Sequence, residues 1–83
     1  MATEGNRVAN ISIVVSEKDS ARRVNEILSE HGEVIHGRLG IPRHDRGVSI
    51  IVILVDADNA KIGAISGALG NVPGVKLKST FLI

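Results

Sequence analysis

From Val8 to Val15 apolar and polar residues alternate: Ala9, Ile11, Ile13 and Val15 fall on one face, while Asn10 and Ser12 share the other with Val8 and Val14. A period of two predicts a strand with one side in the core and one side mixed. The period then changes, with Ala21, Val24, Ile27, Leu28 and His31 recurring at steps of three and four. This predicts a helix over about Lys18 to His31, capped by Ser16 or Asp19 and ended by Gly32. From Glu33 to Pro42, Ile35, Leu39 and Ile41 alternate with Val34, His36 and Arg38. The expectation is a half-buried strand in which Gly37 and Gly40 permit a bend or bulge and Pro42 marks a strand end or a sheet edge. The turn Arg43-His44-Asp45-Arg46-Gly47 leads into Val48 to Val55, apolar on both faces, which predicts a central strand.

Asp56 or Asp58 can cap a second helix through Lys61 to Gly70, where Ile62, Ile65, Ala68 and Leu69 share one arc. Its flank carries Gly63, Ser66, Gly67 and Gly70. An interior helical glycine costs about 1 kcal/mol relative to alanine, so Gly63 and Gly67 suggest that another backbone or a ligand approaches closer than a Cβ would allow. Gly70, at the helix end, reads as a left-handed cap. Asn71-Val72-Pro73-Gly74 then turns the chain into a last strand, Val75 to Ile83. There Val75, Leu77, Phe81 and Ile83 share a face with Ser79, opposite Lys76, Lys78 and Thr80.

The order β-α-β-β-α-β, packed with right-handed connections, predicts an α+β, ferredoxin-like sandwich: an antiparallel four-stranded sheet with two helices on one face. The first and third strands form its inner pair. The other face of the sheet then exposes apolar groups of the third strand, either Val48, Ile50, Val52 and Leu54 or Ser49, Ile51, Ile53 and Val55. Such a patch predicts self-association, with Ile50, Val52 and Leu54 as candidate interface residues.

The 83 residues suit one domain spanning 1–83, near the size at which oligomerisation often supplies missing burial. Only six residues precede the first apolar run, so no separate DNA-reading module is expected in front of it. A net charge of +1 disfavours direct nucleic-acid binding. The absence of cysteine removes disulfides, thiolate chemistry, iron–sulfur ligation and the usual zinc sites. No apolar run approaches membrane-spanning length and the polar start Met1 to Arg7 lacks a signal-peptide core, so a cytoplasmic protein is expected.

Chemistry-bearing groups are sparse. Arg38, Arg43, His44 and Arg46 share a predicted hairpin and could grip a carboxylate or phosphate through guanidinium forks. Any ligand site is therefore expected to involve Gly63, Ser66 and Gly67 with Arg38 and Arg43. The three histidines, His31, His36 and His44, follow no metal-ligand spacing within one chain. Pairing His36 and His44 across subunits would make a Ni²⁺ or Zn²⁺ sensor, the alternative function. No nucleophile elbow or triad is legible and Ser66 lacks a nearby base, so no enzyme and no cofactor are expected. Lys76 and Lys78 read as edge protection.

The segment Asn59 to Lys78, with Gly63, Gly67, Gly70 and the turn Asn71-Val72-Pro73-Gly74, resembles the signature of small stand-alone proteins, the iron-only hydrogenase system regulators. Arg38-Leu39-Gly40-Ile41-Pro42 is similar to their second-strand motif, and the resemblance covers nearly the whole chain. It implies an ACT-like domain related to the ligand-binding domain of the nickel-responsive regulator, which associates through its sheets. The turn Val15-Ser16-Glu17-Lys18-Asp19 departs from amino-acid-binding ACT domains in lacking their glycine, and no His/Cys set matches the nickel ligands. The expected function is that of a regulator: a homo-oligomeric domain, dimer or tetramer, that binds a small-molecule effector or a protein partner.

Overall fold

The computed structural model describes residues 5–83; the first four residues of the polar start read over Met1 to Arg7 lie outside them. Strand β1 (Arg7–Val15) leads through a 3-10 turn into helix α1 (Ala21–Glu30). Strands β2 (Ile35–Arg43) and β3 (Val48–Ala57) form a hairpin, followed by helix α2 (Asn59–Gly70) and strand β4 (Val75–Phe81). The sheet order is β2-β3-β1-β4, with every neighbouring pair antiparallel. This is the ferredoxin-like α+β fold. β1 and β3 are the inner strands, and no helix among the described residues is long and apolar enough to cross a membrane.

The core follows from the two periods. Ala9, Ile11, Ile13 and Val15 are buried on the helix side of β1, beside Ile51, Ile53, Val55 and Ala57 of β3. The register places Ile11 opposite Ile53 and Ile13 opposite Ile51. Val24, Ile27 and Leu28 of α1 and Ile62, Ile65 and Leu69 of α2 close over them. α2 lies towards β4, where Ser66 Oγ meets Ser79 Oγ at 3.1 Å. α1 lies towards β2, where Arg38 donates to Asn25 Oδ1.

Local chemistry sets the ends of the elements. Asp58 caps α2, its Oδ1 accepting from the Lys61 N–H at 2.8 Å, which leaves Asp56 on the strand. Neither Ser16 nor Asp19 caps α1, whose start has no side-chain cap bond. The Ser16 N–H and hydroxyl both donate instead to the Gly74 carbonyl at 2.9 Å, and Ser20 Oγ donates to the Pro73 carbonyl at 2.6 Å. The expected left-handed cap at Gly70 is also corrected: Gly70 is the last residue of α2, and the positive φ lies at Gly74 (+74°). Asn71 continues in helical geometry, so the reversal is deferred to the end of the Val72-Pro73-Gly74 turn.

A bulge in β2 changes the predicted faces. Ile35 pairs with Val55 but Gly37 pairs with Leu54, a register shift centred on His36. One inserted residue flips every later side chain. Ile35 therefore stays on the helix side, whereas Leu39 and Ile41, expected to share its face, lie on the helix-free side opposite Val52 and Ile50.

Candidate functional site

The helix-free face of the sheet divides along its length. Towards β2 and β3 it carries Leu39, Ile41, Val48, Ile50, Val52 and Leu54, the residues paired across the hairpin or following its alternation. Towards β1 and β4 it is mixed, carrying Val8, Asn10, Ser12 and Val14 of β1 and Lys76, Lys78 and Thr80 of β4. Ile50, Val52 and Leu54 thus occupy the face on which the third strand's excess apolar groups are open. Leu39 is 57% exposed, Ile41 45% and Leu54 37%, with Ile50 and Val52 half-buried between them. Strand spacing and rise make this stripe roughly 10 Å wide and 20 Å long. Leu39 and Ile41 belong to it but escape the sequence pattern; of the two glycines that permit a bulge in this strand, Gly37 adjoins the one that turns them outward, and Gly40 does not.

The remaining candidates do not converge. Gly63 and Gly67 are exposed on the outer flank of α2, and a Cβ built on either meets nothing within 4 Å. The close approach expected of them is absent within the protomer. Ser66 is turned towards β4. Arg38 lies on the helix side of β2, bound to α1, whereas Arg43 pairs opposite Val48 on the other face, about 16 Å along the strand. The Arg43 fork is already occupied: Nε and Nη2 donate to the two carboxylate oxygens of Asp45 at 2.9 and 2.8 Å. That pairing holds the Asp45 carboxyl below its ordinary value of 3.8 and raises the Arg43 guanidinium further. Gly63→Ala and Gly67→Ala are each expected to raise stability by about 0.5–1 kcal/mol in urea denaturation, because helix propensity improves without a clash. A fall would mean that something outside the protomer already fills the space.

The histidines are also dispersed. His36 is the bulge residue at the start of β2 and His44 lies in the 3-10 turn beyond its end, roughly 25 Å away. His31 ends α1, its Nδ1 buried without a hydrogen-bond partner among the described residues. No group of three or more His, Cys, Asp or Glu among those residues is arranged to hold a metal ion. A metal shared by His36 and His44 would have to draw them from two protomers.

A family model described as "Iron-only hydrogenase system regulator, putative", of the TM1266-like type, matches residues 7–79. Among solved structures, the uncharacterized protein TM1266 from Thermotoga maritima is 37% identical, with a TM-score of 0.90 over 94% of this chain and 99% of that one. An unknown protein from Galdieria sulphuraria is 16% identical with a TM-score of 0.62, covering 94% of this chain and 46% of that one. The de novo designed protein Foldit4 is 20% identical with a TM-score of 0.52, over 94% and 99% of the two chains. The last two share the fold alone. No curated protein matches the chain.

Proposed function

This chain belongs to the TM1266-like family of iron-only hydrogenase system regulators, and from that premise we propose a cytoplasmic, non-enzymatic regulatory domain that works by assembly through the helix-free face of its sheet. The observation that carries the reading is the stripe of Leu39, Ile41, Ile50, Val52 and Leu54 on a face with no helix over it. Removing apolar surface from water is favourable by about 25 cal/mol per Å². Contiguous apolar patches on soluble proteins commonly mark an interaction site. A second copy of the chain is the expected cover, in a dimer or a tetramer. A small effector or a protein partner regulates in this scheme by favouring one assembled state over another, which requires only that it bind the two states unequally.

Gly63, Ser66 and Gly67 form a second, smaller contact flank in this reading. Size-exclusion chromatography with light scattering tests the proposal directly. The expected mass at micromolar concentration is that of two or four chains, and a single-chain mass at that and higher concentrations would remove it.

A further inference from the structure

Where β1 leaves the sheet, a cleft of about 260 Å³ opens between the strand-to-helix connection and the β2–β3 turn. This is just below the usual span of roughly 300–1,000 Å³ for small-molecule sites, so only a small ligand fits. Val15, Ala21 and Val48 supply its apolar lining, and Ser16, Glu17, Lys18, His44 and Ser49 its polar groups. The Lys18 ammonium and the His44 imidazole make no ion pair or hydrogen bond with the described residues, unlike the neighbouring Arg43, which Asp45 satisfies.

Both walls are braced. On one side, the Ser16 N–H and hydroxyl and the Ser20 hydroxyl are fastened to the Gly74 and Pro73 carbonyls. The stem of Glu17, also at the cleft, packs against Gly74 at the place a Cβ would occupy. On the other side, the bidentate Arg43–Asp45 pair and the left-handed Gly47 (φ +67°) close the turn around His44. Walls held by such bonds keep a site's geometry before a ligand arrives, which lowers the ordering cost of binding.

We propose that this cleft binds a small organic anion, its carboxylate between Lys18 and His44 and a short apolar body on Val15, Ala21 and Val48. The inference does not depend on how the sheet face is covered. It assigns an effector class: a compact monovalent acid rather than a nucleotide or a large conjugated ligand.

The full chain, labelled with ¹⁵N, is titrated with isovalerate and separately with inorganic phosphate, which offers charge without the apolar body. The expected result is saturable shifts at the amides of Lys18, Ala21, Gly47 and Ser49 with isovalerate, and weaker binding of phosphate. Lys18→Met, which keeps the stem and removes the charge, is expected to weaken isovalerate about tenfold, as loss of one charge-assisted hydrogen bond implies. Lys18 is exposed, so the variant's unchanged spectrum elsewhere reports an intact fold. Shifts that do not saturate, shifts centred on Lys76 and Lys78, equal binding of phosphate, or full affinity in Lys18→Met would each overturn the assignment.

Discussion

Val52→Lys is expected to convert the proposed assembly into monomers while leaving the protomer folded. Val52 sits in the middle of β3 on the helix-free face, between Leu39 of β2 and Ser12 of β1. In a lone protomer a lysine there extends its ammonium into water, and a surface change of that kind costs well under about 1 kcal/mol. In a symmetric assembly built on this face, each subunit contributes the same residue, so two ammonium groups would be pressed into an apolar contact. The penalty for burying an unpaired ion is several kcal/mol, and each 1.4 kcal/mol is about a tenfold change in dissociation constant. Association should therefore weaken by roughly a thousandfold or more, visible as a single-chain mass in sedimentation velocity beside an unaltered circular dichroism spectrum of the folded protomer. Lys78→Ala, on the polar half of the same face, is the control and should retain the parent's mass. An assembled Val52→Lys protein would mean that subunits meet elsewhere.

Gly74→Ala is expected to be the most damaging single methyl group in the chain. Gly74 has φ +74°, a region that alanine occupies at a cost of about 1 kcal/mol or more. Its Cβ would stand 2.6 Å from Glu17 Cγ, 2.9 Å from Glu17 Cβ and 3.1 Å from Glu17 N. The Cγ could swing aside, but the Cβ and the backbone nitrogen cannot move without loosening the Ser16 bonds to the Gly74 carbonyl. The combined loss is about 2–4 kcal/mol, or roughly 10–25 °C in Tm for a domain of this size. Calorimetry of Gly74→Ala beside Gly63→Ala gives a matched test, since the second adds the same methyl group to open space. Equal melting temperatures for the two would contradict the close approach at Gly74. The same loosening should weaken the cleft, whose wall hangs from the Pro73 and Gly74 carbonyls.

Much of the architecture is legible in residue periodicity. The two-residue period of Ala9 to Val15 and the three- and four-residue steps of Val24, Ile27 and Leu28 name the buried faces of β1 and α1, because a strand and a helix present side chains at fixed angular intervals. Val48 to Val55, apolar on both faces despite Ser49, identifies an inner strand for the same reason. Glycines are less legible. The helical cost of Gly63 and Gly67 is readable, but what surrounds them is not, and the structure places no atom of the protomer there. The glycine that does need its missing side chain is Gly74, where two segments nearly sixty residues apart in sequence meet.

Local spacing along the chain was thus enough for the order of the elements, the inner strand pair and the helix-side core, since each depends on periods of two or 3.6 residues. It could not choose between the two apolar faces of β3, because Ile50 and Ile51 are equally oily; the pairing of Ile51 with Ile13 and Ile53 with Ile11 made that choice. Nor could it foresee Leu39 and Ile41 joining the open face, a consequence of the single-residue register shift at His36. The cleft, too, exists only once folding sets Lys18 beside the turn that carries His44. Contacts between distant segments have no signature in local spacing, and they are what turn a correctly ordered set of strands and helices into particular surfaces.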